Sequence, residues 1–179
     1  MIYNSNSFYI EHLKQGDALS LNKLFVINTS RFKLYLPKTL SENRTLESTK
    51  SYIIKQEKAM LSKSEYTFTI KERTSKEIAG LIILKTIDWN TKQGEFAYCI
   101  GKSYENNGWM SEAIKATSLF CYKKLKLETF QIISNKTNYA SIKVAEKSNF
   151  IWQKTLKNEF TPSNKLPQDM ELYELNYER

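Results

Sequence analysis

The stretch from Glu77 to Ile87, EIAGLIILKTI, constrains the fold more than any other part of the chain. It is almost continuously apolar yet short, the pattern of a central strand covered on both faces. Its neighbours extend the same sheet. EYTFTIKE alternates Tyr66, Phe68 and Ile70 with Thr67, Thr69 and Lys71, as a half-buried strand requires. After the turn NTKQG, GEFAYCIG supplies another strand, with Glu95, Ala97 and Cys99 pointing one way and Phe96, Tyr98 and Ile100 the other. These strands form an antiparallel meander that needs helices on either side.

The flanking sequence provides them. SFYIEH forms a short strand, and after Gly16-Asp17 the apolar residues Ala18, Leu21, Leu24 and Phe25 recur at helical spacing. TSRFKLYLPKTL reads as a loop, because Pro37 disfavours helix at Leu36, and LESTKSYIIKQEKAMLS places Ile53, Ile54 and Met60 on a second helix. Beyond the meander, Ala113, Ile114, Phe120, Cys121 and Leu125 mark a helix, ETFQIIS a strand, and Tyr139 to Ser148 another helix. FIWQKTLKNEF and DMELYELNY close the chain as strands. The order β-α-α-β-β-β-α-β-α-β-β predicts an α/β (α+β) fold with a mixed, mostly antiparallel sheet of about seven strands and helices on both faces. A chain of 179 residues fits one such domain, spanning 1–179.

Composition excludes several classes. With 41% hydrophobic residues, 5 Gly and 3 Pro, the chain is neither disordered nor fibrous. No segment approaches the roughly 18 apolar residues of a membrane span, and MIYNSNSFYIEH lacks the layout of a signal peptide, so a cytoplasmic protein is expected. Cys99 and Cys121 read as buried free thiols. The lone histidine, His12, reads as a strand-end surface residue, and no metal site is expected. Trp89, Trp109 and Trp152 read as core or rim. A net charge of +8 suits an anionic ligand, whether nucleic acid or a phosphorylated cofactor. The lysines are scattered along the chain rather than gathered in one run, which speaks against nucleic acid.

Two stretches could carry chemistry. SYENNGWMSEAIKATSLF opens a helix after a strand, where first-turn N–H groups lack helical partners and the helix dipole adds positive charge. Gly108 permits a close approach and a positive φ, Asn106 and Asn107 tolerate the left-handed conformation, and Ser111 adds a hydroxyl. Taken alone, one glycine before a helix is equally a turn. In NKTNYASIKVAEKSNF, Asn138 is a good N-cap with Ser141 at the third helical position, and capping alone accounts for both.

Together, AGLIIL, GEFAYCIG, YENNGWMSEAI and NYASIKVAEKSNF resemble the GNAT acyltransferase superfamily, in the branch of ribosomal-protein N-acetyltransferases of the RimJ/RimL type. The resemblance covers nearly the whole chain. Asn138, Ala140, Ser141, Lys147 and Phe150 match the family's most specific pattern. It implies a GNAT-like domain with a splayed strand pair, here the strands EFAYCI and ETFQIIS, and transfer of acetyl from acetyl-CoA to an amine. Backbone groups near Cys99 and Ile100 would bind the pantetheine arm. The N–H groups from Asn106 through Asn107, Gly108, Trp109 and Met110 to Ser111 would bind the pyrophosphate. Asn138 and Lys147 belong to the implied cofactor site, and Ser141 resembles the family's proposed acid. The loop departs from the family pattern at Glu105, where Arg or Gln is usual, at Asn106, where a further Gly is common, and at Met110, where Gly or Ala is usual.

An ammonium has no lone pair with which to attack a thioester, so a base must take its proton. Glu95, at the start of its strand beside the implied gap, is the candidate; a solvated strand-end carboxylate accounts for it equally. The acceptor would be a peptide N-terminus or a small-molecule amine. The resemblance also allows a homodimer formed through the last strands, for which the residues show no pattern. Two other functions stay open: a GNAT-fold interaction module that binds coenzyme A weakly or not at all, and a basic nucleic-acid-binding domain.

Overall fold

The computed structural model describes residues 1–161 and 166–178. The strands are β1 (Tyr3–Asn4), β2 (Phe8–His12), β3 (Tyr66–Glu72), β4 (Ile78–Asp88), β5 (Gln93–Ile100), β6 (Thr129–Asn135), β7 (Ile151–Phe160) and β8 (Gln168–Asn176). They form one eight-stranded sheet in the order β1-β2-β3-β4-β5-β6-β8-β7. The expected strands are β2 to β8. The additional β1 contributes only Tyr3 and Asn4, paired antiparallel with β2. All pairings are antiparallel except β5 with β6.

Among the described residues, six α-helices cover the sheet: α1 (Ala18–Ile27), α2 (Thr29–Tyr35), α3 (Pro37–Ser41), α4 (Leu46–Leu61), α5 (Trp109–Phe120) and α6 (Tyr139–Lys147). Leu21, Leu24, Phe25, Phe32, Leu40 and Ile53 of α1 to α4 pack with Leu81 and Cys99 on one face. Met110, Ala113 and Ile114 of α5 and Ala145 of α6 pack with Phe68, Ile82, Phe96 and Phe130 on the other. No helix among the described residues is long and apolar enough to cross a membrane.

The run Ile78 to Leu84 is buried throughout, as its apolar character requires. Three local expectations fail for identifiable reasons. TSRFKLYLPKTL is not a loop but α2 and α3. Pro37 does break the helix at Leu36 (φ −134°, ψ 52°), yet it then opens α3 at its first position, where a missing N–H costs nothing. Strand β3 is buried on both faces rather than one. Its polar side chains find partners on the α1–α4 side: Thr67 donates to Gln56 of α4 (2.9 Å), and Lys71 pairs with Asp17 before α1 (2.6 Å) and with Glu11 of β2 (3.2 Å). His12 is half-buried rather than a free surface residue. Its ring lies 5.1 Å from that of Phe68 and 6.0 Å from that of Phe120, beneath α5.

Candidate active site

The β5–β6 pair is parallel for three registers only, Gln93 with Thr129, Gly94 with Phe130 and Glu95 with Gln131. Strand β5 continues to Ile100 and β6 to Asn135, so the two diverge beyond Glu95 and open a wedge between them. On the β4 side, the Gly101 N–H donates to the Ala79 carbonyl (2.7 Å), and Leu81 stands opposite Cys99. Because alternate residues of a strand turn their peptide groups to opposite edges, the Cys99 main chain faces β4, while that of Ile100 faces the wedge. Of the two expected pantetheine contacts, only Ile100 has its main chain on the wedge side. The Cys99 side chain is buried in the α1–α4 core, and burial pushes its thiol up to about 12, leaving it unreactive.

At the mouth of the wedge, β5 leads through Lys102–Tyr104 to α5. Gly108 caps the helix at φ +77°, and Asn106 takes φ +62°. A Cβ on Gly108 would meet nothing within 4 Å, so its positive φ, not crowding, is what glycine supplies here. The first helical N–H with an acceptor is that of Glu112, on the Gly108 carbonyl (3.1 Å). Among the described residues, no acceptor meets the N–H groups of Asn106, Asn107, Gly108, Trp109, Met110 or Ser111. A turn of free donors at the start of a twelve-residue helix is built for an anion. The side chains that depart from the family pattern leave it open. Met110 is 5% exposed and fills the α5–α6 core. Trp109 stacks on Tyr104 (5.2 Å) and meets Phe8 at a tilt (5.3 Å). Glu105 is drawn aside by Arg31 of α2, with which it forms an ion pair.

Helix α6 runs between the wedge and this loop. At its N-terminus the Asn138 side chain accepts the Ser141 N–H (3.3 Å), so Asn138 is engaged as a cap. The Ser141 hydroxyl lies 2.9 Å from that of Tyr98, which also reaches the Ser141 carbonyl (3.2 Å). Tyr98 belongs to the diverging part of β5, and this pair therefore spans the wedge. Burial raises the Tyr98 pKa, which keeps the phenol protonated as a donor. At the other end of α6, buried Ser148 donates to the Ser111 carbonyl (3.1 Å). Lys147, the residue before Ser148, is exposed in the last turn of α6.

Glu95 stands at the vertex of the wedge, on the α1–α4 face with Cys99. Its carboxylate is only 16% exposed and pairs with Lys85 directly across the ladder (2.7 Å). To accept a proton it must share or release that partner. The residues therefore fall into two groups: Ile100 and Asn106 to Ser111 around the mouth, and Glu95, Tyr98 and Ser141 along the wedge; no side-chain hydrogen bond or ion pair ties Lys147 to either group among the described residues. Sequence reasoning missed Lys85, Tyr98 and Arg31. The strand register, counted across NTKQG, could have found Lys85. Nothing local marks Arg31, which was assigned to a loop. Among the described residues no cluster of His, Cys, Asp and Glu could hold a metal ion.

The chain matches a protein family described as an acetyltransferase (GNAT) domain over residues 8–151. None of the curated proteins compared by sequence matches it. Solved structures do. A ribosomal-protein-S5-alanine acetyltransferase from Vibrio fischeri superposes with a TM-score of 0.89 at 18% identity, covering 97% of this chain and 95% of that one. RimL, a ribosomal L7/L12 α-N-protein acetyltransferase in complex with coenzyme A, gives 0.89 at 18% identity over 98% and 97% of the two chains. A microcin C7 self-immunity acetyltransferase, MccE, in complex with acetyl-CoA and AMP gives 0.87 at 18% identity over 96% and 93%. At such identities the likeness establishes a shared fold.

Proposed function

The chain belongs to the acetyltransferase (GNAT) domain family, and from that premise we propose that it transfers the acetyl group of acetyl-CoA to a primary amine by direct attack. One observation carries the proposal: a wedge between β5 and β6 that opens at Glu95 and ends at the unpaired N–H groups of Asn106 to Ser111. The donor cluster fits a diphosphate. Acetyl-CoA would supply an activated thioester; positioning and proton handling are left to the chain.

The main chain of Ile100 is the wedge-side group offered to the pantetheine amides, with its carbonyl also 3.5 Å from Arg31 Nη1. Glu95 receives the proton of the incoming amine, directly or through water, and its carboxylate attracts a cationic acceptor. The Tyr98 and Ser141 hydroxyls share a hydrogen bond in which either can donate; with Tyr98 as donor, the Ser141 proton is left to stabilise a departing thiolate. A thiol has a pKa of roughly 8 to 9, so near neutral pH this hydroxyl contributes less than alignment of amine and thioester does. As acceptor we propose a protein N-terminus or a small-molecule amine. The structural relatives named above support the former, since two act on ribosomal proteins.

The test is thermal stability with acetyl-CoA, followed by thiol release with N-terminal peptides, polyamines and aminoglycosides. A ligand that binds the folded state raises its melting temperature in proportion to the logarithm of concentration over dissociation constant. A rising melting temperature and acceptor-dependent thiol release are expected. No shift at millimolar acetyl-CoA would sink the proposal.

A further inference from the structure

The anion-binding turn carries a defect. Glu105 precedes it immediately, and a carboxylate beside a diphosphate is repulsive unless something neutralises it. The chain supplies that neutralisation from a distant part of the sequence. Arg31 of α2 reaches the loop, pairs with Glu105, and extends Nη1 toward the Ile100 carbonyl (3.5 Å) and the Asn28 side chain (3.4 Å). The anchoring is built in. Asn28, 5% exposed at the α1–α2 junction, accepts the Lys102 N–H (2.9 Å) and donates to the Leu24 carbonyl (2.8 Å). Gly101 packs against the same corner, where a Cβ would come within 3.0 Å of Leu24 and 3.5 Å of the Asn28 amide. The beginning of the loop is thus fastened to α1 and α2, and the guanidinium rests at the mouth of the wedge.

We infer that Arg31 is a cofactor-binding residue, a guanidinium lent by the α1–α4 layer that bridges Glu105 and the diphosphate of coenzyme A. This inference rests on the function proposed above. A guanidinium has five donors in a planar fork, enough to hold a carboxylate and a phosphate oxygen together. The ion pair with Glu105 cancels the carboxylate's repulsion, while Asn28 and the Ile100 carbonyl hold the guanidinium at the loop. Arg31 and Glu105 are each about one-third exposed (35% and 32% of the side chain), so the pair stays accessible to an anion from solution. Where the family pattern has Arg or Gln in the loop, the cation here comes from α2.

The experiment measures binding of coenzyme A and of pantetheine, which has no phosphate, by calorimetry at low and high salt. The wild-type chain is compared with Arg31→Gln, Glu105→Gln and the double variant, and the melting temperature of each is recorded without ligand. Arg31→Gln should weaken coenzyme A by about 10- to 100-fold, the effect of losing a charge-assisted donor while exposing a carboxylate. Pantetheine binding should not change, and the loss should shrink as salt screens the charges. Glu105→Gln should hold or tighten coenzyme A, and adding it to Arg31→Gln should restore part of the loss. Unchanged coenzyme A binding in Arg31→Gln, or an equal loss for pantetheine, overturns the inference. If Arg31→Gln does not fold, Glu105→Gln decides, since weaker binding there makes the carboxylate itself a ligand-supporting group and overturns it too. A wild-type chain that binds no coenzyme A overturns this inference and the proposed function together.

Discussion

The two faces of the sheet manage charge in opposite ways. On the α5–α6 face the interior is aromatic and aliphatic, and the candidate anion site is made of main-chain N–H groups at the start of α5. On the α1–α4 face, side chains carry the polarity: Lys71 with Asp17 and Glu11, Lys85 with Glu95, and Arg31 reaching Glu105. Backbone donors do not depend on side-chain identity, so the first arrangement tolerates Asn106 in place of Gly and Met110 in place of Ala. The second has no such tolerance. A carboxylate at the vertex of the wedge either is there or is not.

Glu95→Gln breaks the comparison most severely. It keeps the shape and removes the base, so turnover with any accepted amine should fall by about 100-fold or more, the usual worth of general base catalysis. The dissociation constant for coenzyme A should stay unchanged, because nothing on the donor turn depends on Glu95. Asn107→Ala, at an exposed position of that turn, is the matched control and should alter neither quantity. Full turnover in Glu95→Gln would remove Glu95 from the mechanism. A parallel loss of coenzyme A affinity would show that the faces are not separable.

This division also decides what was legible in the chain. The meander, the wedge strands and the helix after Gly108 announce themselves through period-two and helical patterning, which report burial. The loop at 105–111 could be found because a glycine before a helix has a backbone meaning. What remained hidden was long-range pairing. Arg31 meets Glu105 across 74 positions of sequence, and Lys71 meets Asp17 across 54. Neither partner alters the local pattern of the other. Thr67, Thr69 and Lys71 look solvent-facing for the same reason, although the α1–α4 layer covers them. His12 escaped notice because its burial comes from Phe120, on a helix more than a hundred residues away.

A smaller effect tests the backbone side of the comparison. Gly108 holds φ +77°, where a β-branched side chain pays about 1–2 kcal/mol. Gly108→Val should therefore cost coenzyme A affinity about 5- to 30-fold, the equivalent of that strain, if the turn must keep this conformation to bind. Gly108→Asn, whose side chain visits the left-handed region readily, should stay close to the wild type. Equal losses for Val and Asn would point to the side chain obstructing the site rather than to backbone conformation, and would remove the distinction between the two faces.

The smallest effect concerns His12, the one titratable imidazole in the chain, enclosed by the rings of Tyr66, Phe68 and Phe120. Its Nδ1 has no hydrogen-bond partner, and burial, with the nearby N-terminal charge, holds its pKa below the ordinary 6.5. The unfolded chain then binds a proton more readily than the folded one, so stability rises with pH across this window. The contribution is fully present above the unfolded value and is lost as pH falls through 6.5 toward the lower folded value. A melting temperature followed from pH 7.5 to 5 should decline, and His12→Phe should flatten that part of the curve while keeping an aromatic ring against Phe68. Glu65, whose carboxyl pKa burial raises, works in the opposite direction and cannot produce the decline. If the slope survives in His12→Phe, the acid sensitivity originates outside His12, among carboxylates that hydrogen bonds hold below their ordinary range, such as Glu11, Glu77 and Asp169.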